Sequence, residues 1–111
     1  MQYLNRTIQS LVKDSLLPNK VVLLLGPRRV GKTVLIHQLL KDKATDPYLL
    51  LNGEDINTRE LFARRSVESF LQLLDGRRLM VIDEAQKIPD IGSCLKLMVD
   101  EIPNLKVLIT D

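Results

Sequence analysis

A chain of 111 residues has room for one domain and one core. Its 45% hydrophobic and 27% charged residues are those of an ordinary soluble globular protein, and 16 Lys+Arg against 14 Asp+Glu is too even a balance to argue for nucleic acid. The longest unbroken apolar run, Val21–Leu25, is too short to cross a membrane, the N-terminus lacks a signal-peptide core, and a lone Cys94 forbids an internal disulfide and makes a reducing cytoplasm the default location.

Leu4, Ile8, Leu11, Val12 and Leu16 recur at helical spacing, so residues 2–17 read as an amphipathic helix that Pro18-Asn19 ends. Val21–Leu25 is a continuous apolar run, expected of a strand buried on both faces of a parallel sheet. Thr33–Lys41 follows as a helix, and residues 42–47 as a polar connection. Tyr48–Leu51 reads as a second strand ending at Asn52-Gly53. Asn57 followed by Glu60 resembles a capping box and starts a helix near Thr58. Ser66 begins another helix carrying Val67, Phe70, Leu71, Leu73 and Leu74, closed by Gly76. Leu79–Ile82 is a third strand. Ile91, Leu95, Met98, Val99 and Ile102 mark a further helix stopped by Pro103, and Lys106–Thr110 is a fourth strand. Strands alternating with helices imply a doubly wound α/β sheet.

Gly26-Pro27-Arg28-Arg29-Val30-Gly31-Lys32-Thr33 fits the phosphate-binding pattern G-x-x-x-x-G-K-[ST] without a mismatch, and it sits between a strand and a helix as that pattern requires. Glycines let backbone N–H groups turn inward around a polyphosphate, and the helix start at Val34 adds free donors and partial positive charge. Lys32 reaches the β- and γ-phosphates, and the Thr33 hydroxyl ligates Mg²⁺. A second pattern lies downstream. Four apolar residues run into Asp83-Glu84, and a carboxylate at the C-terminal end of a parallel strand faces the edge where ligands bind. Asp83 then holds Mg²⁺, directly or through water, and Glu84 is the candidate general base for an attacking water. The plainer reading of that pair is a helix N-cap with an acidic first turn. Thr110 closes the fourth strand. It is either a hydrogen-bonding sensor for the water or γ-phosphate, or a strand-end Thr chosen for β propensity. His37 and Cys94 read as packing or surface residues rather than ligands.

GPRRVGKT, LMVIDEAQKIPDIG, the Leu95-Lys96-x-x-Val99-Asp100-Glu101 helix and KVLIT together resemble the bacterial and archaeal AAA-type P-loop ATPases of the GPRR-GKT and DE-x-Q kind, over nearly the whole chain. The resemblance implies a three-layer P-loop core, ATP as ligand, Mg²⁺ dependence and ATPase activity. It also implies a strand order 5-1-4-3-2, of which this chain supplies 1-4-3-2, and a following C-terminal domain of unknown or nuclease-like character. Residues 1–111 are therefore expected to be one partial domain, with residues 1–19 as N-terminal helix and linker and 20–111 as nucleotide-binding core. The fragment itself is expected to bind nucleotide with weak or no turnover; a naturally short P-loop protein is the alternative. In related ATPases an Arg before the first helix lines the adenine pocket, which makes Arg6 a candidate; an ordinary amphipathic helix is the alternative there. No arginine finger can be placed, because Arg28 and Arg29 lie in the loop and Arg64-Arg65 and Arg77-Arg78 read as solvated element ends. ATP and ADP are the expected small-molecule partners. A homo-oligomer, and a protein or DNA partner met through the absent C-terminal domain, stay open. Two other functions compete: a nucleotide-dependent interaction switch with incidental hydrolysis, and a helicase-like ATPase, because Asp83-Glu84-Ala85-Gln86 also matches a helicase motif.

Overall fold

The computed structural model describes residues 17–24 and 47–110. Four strands, β1 (Lys20–Leu24), β2 (Tyr48–Asn52), β3 (Leu79–Asp83) and β4 (Lys106–Thr110), form one sheet in the order β1-β4-β3-β2. Every pairing is parallel. The helices among the described residues are α1 (Ile56–Arg64), α2 (Val67–Leu74) and α3 (Ile91–Glu101), with a single 3₁₀ turn at Ala85–Lys87. This is the α/β arrangement expected of a P-loop core, with the 1-4-3-2 order that the resemblance implies. The helices expected over 2–17 (Leu17 apart) and 33–41 lie outside the described residues.

Strand position explains the burial of each apolar run. β3 is central, and Leu79, Met80, Val81 and Ile82 are all buried. β2 has the same kind of sequence but ends the sheet, so Leu49 is buried while Tyr48 and Leu50 are exposed. β1 pairs only with β4 among the described strands. Its Leu23 is 52% exposed, which departs from the two-faced burial expected of the Val21–Leu25 run.

Register places Leu49, Met80 and Val107 on one sheet face, and two residues further Leu51, Ile82 and Ile109. Phe62, Phe70, Leu74, Cys94, Leu95 and Met98 of the three helices pack against that face. Phe62 and Phe70 meet edge to face with ring centroids 4.9 Å apart. Completely burying a side chain such as Phe70 or Leu74 contributes roughly 1.5–3 kcal/mol, so this layer dominates the stability of the described part.

Helix α1 starts at Ile56, ahead of the expected Thr58. Asp55, not Asn57, is its cap: the Asp55 carboxylate accepts the Asn57 N–H at 2.9 Å. Ser66 caps α2 as expected, its hydroxyl accepting the Ser69 N–H at 3.2 Å. Asp75 (φ 50°) and Gly76 (φ 84°) then turn the chain left-handed into β3.

At the N-terminal end of the sheet, side chains serve the backbone. Asn19 Nδ2 donates to the carbonyls of Val99 at 2.6 Å and Ile102 at 2.9 Å, which closes the last turn of α3. Its Oδ1 accepts the Asn104 N–H at 3.3 Å. Asn19 sits at φ 61°, a conformation Asn tolerates better than most residues. Arg77, expected as a solvated element end, is half-buried and has backbone partners. Its guanidinium donates to the carbonyls of Leu73 and Leu74, both at 2.8 Å, and of Tyr48 at 3.0 Å, tying the end of α2 to the start of β2.

Candidate functional site

The C-terminal edge of the sheet gathers Asp83, Glu84 and Thr110. Val81 of β3 pairs with Leu108 of β4, so two residues on, Asp83 and Thr110 lie side by side on the same face. The Thr110 hydroxyl donates to Asp83 Oδ1 at 2.5 Å. Thr110 is wholly buried, so this hydroxyl needs a partner, and the carboxylate supplies it. The same Oδ1 accepts the Glu84 N–H at 2.9 Å. Two donors therefore fix one carboxylate oxygen and hold the group's orientation. No buried side-chain nitrogen or oxygen among the described residues is left without a partner.

Beyond Asp83 the backbone turns sharply. Glu84 adopts φ 53°, ψ 44°, a left-handed conformation that costs a residue with a side chain roughly 1–3 kcal/mol. Its Oε1 accepts a hydrogen bond from Gln86 Nε2 at 2.7 Å. The alternative reading of the pair as a helix N-cap does not describe it. Asp83 belongs to β3, Glu84 precedes only a 3₁₀ turn with no side-chain cap, and α3 begins after Asp90.

The turn after β2 borders this corner. Asn52 pairs with Asp83, and the Gly53 N–H donates to the Asp83 carbonyl at 2.8 Å. Arg59 Nη1 donates to the carbonyls of Gly53 and Glu54, each at 3.1 Å. Sequence reasoning saw Asn52-Gly53 as the end of a strand and passed over Arg59. No periodicity or motif marks the approach of Gly53 to the Glu84 backbone, which arises only when β2 lies beside β3.

The phosphate-binding candidates Gly26–Val34, with Lys32 and Thr33 among them, lie outside the described residues, as does Arg6. Leu24, the last residue of β1, pairs with Thr110, and the sequence enters the Gly26 motif two residues later. The described oxygens suit a hard cation: Asp83 offers a carboxylate beside the Thr110 hydroxyl. One carboxylate is what a Mg²⁺ site built with substrate phosphates needs, whereas a cage of three or more acidic, His or Cys ligands is absent among the described residues.

Two other features lie apart from this edge. A cleft of about 420 Å³ between α1 and the Pro89-Asp90 turn is lined by Arg59, Phe62, Arg65 and Asp90, and by none of the three edge residues. Cys94 is buried in α3 with its thiol against the Phe62 carbonyl. Burial pushes that thiol up from its ordinary range, and Arg65 nearby opposes the shift. The packing role expected of Cys94 fits this environment. No helix among the described residues is long and apolar enough to cross a membrane.

Comparison with known proteins adds the family. The family described as "AAA domain" matches residues 18–111. Uncharacterized proteins of Mycobacterium tuberculosis and Mycobacterium bovis are each 38% identical over 80 residues, or 72% of this chain. The match spans 17% of the length of each of those relatives. No solved structure matches. The chain belongs to the AAA domain family, of P-loop ATPase type, and that membership points to nucleotide binding and ATPase activity in general.

Proposed function

With that membership as the premise, we propose that this chain binds ATP with Mg²⁺ and hydrolyses it at the C-terminal edge of the sheet. The observation that carries the proposal is the Thr110–Asp83–Glu84 cluster at the end of two adjacent parallel strands, next to the strand that leads into the Gly26–Thr33 motif. Bound Mg²⁺ supplies charge neutralisation of the phosphates and a fixed geometry for the reacting group. Asp83, oriented by Thr110 and the Glu84 N–H, is the carboxylate that would hold it, with Thr33 as the hydroxyl ligand. Glu84 accepts the proton of the attacking water. Lys32 and the backbone of Gly26–Val34 would cradle the phosphates, and Arg6 would line the adenine pocket. Thr110 positions Asp83 and through it the edge of the site. The much greater length of the mycobacterial relatives supports a further reading, that hydrolysis drives another part of a longer protein.

The test is Glu84→Gln. Nucleotide affinity stays within a factor of about two while turnover falls by about 100-fold or more, the range typical of a lost general base. Unchanged turnover would remove Glu84 from the chemistry. Lost turnover with every downstream activity retained would favour the nucleotide-dependent switch instead.

A further inference from the structure

Besides the bonds that its N–H makes to Asp83 Oδ1 and its carbonyl accepts from the Lys87 N–H, Glu84 is held at two further points, and only one of them is its carboxylate. The other is its peptide. Gly53 lies so close that a Cβ placed there would stand 2.1 Å from the Glu84 carbonyl oxygen and 3.0 Å from its carbonyl carbon. No side chain fits in that space. Gly53 is therefore required by proximity, and the turn after β2 rests directly on the Glu84 peptide. The turn is itself braced. The Gly53 N–H extends the β2–β3 ladder by bonding the Asp83 carbonyl, and Asn52 Oδ1 accepts the Glu54 N–H at 2.9 Å. Arg59, one turn into α1, grips two successive carbonyls from the far side. A left-handed Glu is not self-sustaining, so surrounding structure must hold it.

We propose that Gly53 and Arg59 are positioning residues for Glu84: the turn after β2, locked by the Arg59 guanidinium, fixes the Glu84 peptide and so aims its carboxylate. This rests on Glu84 being the base that activates water. Neither residue touches the reacting atoms; both act through the Glu84 backbone, while Gln86 steadies the other end of the side chain. The consequence is directional. A shift of α1 pulls on Arg59, loosens the turn and moves Glu84.

The experiment uses the full-length natural protein with MgATP and compares Arg59→Ala and Gly53→Ala, each alone and in a Glu84→Gln background. Arg59→Ala is the decisive variant, because Gly53→Ala also drives a methyl group into backbone and so perturbs folding itself. Arg59→Ala is expected to lower kcat by about tenfold, since small misplacement of a catalytic group costs up to about 100-fold. KM, nucleotide Kd and the number of nucleotide-binding sites stay unchanged. In the Glu84→Gln background the residual turnover shows no further loss. A wild-type kcat in Arg59→Ala overturns the proposal. So does the same fold-loss in the Glu84→Gln background, or a loss matched by fewer binding sites. If Glu84→Gln itself turns over normally, the assignment of Glu84 fails and the clamp falls with it. If Glu84→Gln is inactive and Arg59→Ala is not, only the clamp fails.

Discussion

The two ends of the sheet differ in what their polar side chains bond. At the N-terminal end, Asn19 and Arg77 direct their donors at backbone carbonyls: those of Val99 and Ile102 for one, those of Leu73, Leu74 and Tyr48 for the other. These bonds complete helix ends and strand starts. At the C-terminal end, Arg59 and Asn52 likewise bond backbone groups, but Thr110 also bonds Asp83 and Gln86 bonds Glu84, side chain to side chain. That end sets the carboxylates of two successive residues, each held by a side-chain donor, an arrangement that does nothing for a helix end. Both ends use left-handed residues, Asn19 at one and Glu84 at the other. Asn tolerates that conformation well, whereas Glu84 needs its neighbours to hold it there. The difference separates an end whose side chains close helix and strand termini from an end whose carboxylates are held by side-chain donors, the arrangement on which the proposed chemistry rests.

Substitutions that spare one end and damage the other test this separation. The largest effect is expected from Asp83→Asn, which keeps the shape and removes the charge. Turnover falls by about 100-fold or more, because a lost cation site forfeits several kcal/mol of transition-state stabilisation. The optimal Mg²⁺ concentration rises, which a metal titration of ATPase rate reads directly. A wild-type rate at ordinary Mg²⁺ would place the cation elsewhere.

Thr110→Val comes next and bridges the two kinds of end. It keeps the buried, branched shape and deletes the hydroxyl that donates to Asp83 Oδ1. Chemical denaturation should show a loss of about 1.5–3 kcal/mol, the range for a hydrogen bond to a charged group. Turnover should fall by about tenfold, since Asp83 retains only the Glu84 N–H as an orienting donor. A stability loss with full turnover would assign Thr110 to the structural class.

Asn19→Ala is the converse. It removes the donors to two α3 carbonyls and the acceptor for the Asn104 N–H. Its expected cost is about 1–2 kcal/mol, seen as a melting temperature several degrees lower. ATPase rate per folded molecule stays unchanged. A fall in kcat at a temperature where the variant is fully folded would show that the two ends are coupled.

The smallest effect concerns Cys94, which sits in the layer between the ends. Its folded thiol is shifted upward by burial. The neutral form is thus favoured in the folded state, and its contribution is fully present below the ordinary thiol range. That contribution is lost as pH rises through the unfolded and then the folded value. Stability should decline slightly on the alkaline side, and Cys94→Ala should flatten that decline. Native protein should resist iodoacetamide until it unfolds.

Much of this architecture is legible in the linear order of residues. Lys106–Thr110 is expected as a strand and forms one over those same residues, because an apolar run bounded by Pro103-Asn104 has little other choice. Ser66 is visible as a cap because a hydroxyl three residues before the Ser69 N–H has a local partner. The α1 start was harder to place: Asp55, Asn57 and Thr58 are all capable caps within four residues, and packing of the buried Thr58 and Phe62 decides among them. Arg77 was misjudged because its partner at Tyr48 is remote in sequence. At the candidate site, Asp83, Glu84 and Thr110 are recognisable one by one as strand-end residues. Their meeting is not, since it depends on which strands are neighbours.

The sequence by itself determined the alternation of strands and helices, the phosphate-binding pattern at Gly26–Thr33, and the acidic pair that follows a strand. These depend on local backbone preference and on periodicity, both of which act within a few residues. The family resemblance already implied the order that puts β4 between β1 and β3, and only the tertiary structure showed what that order does: it sets Thr110 against Asp83. It showed equally that laying β2 beside β3 brings Gly53 onto the Glu84 peptide. Strand order is a property of the sheet as a whole, settled by which faces the helices must cover, and no short window of residues encodes it.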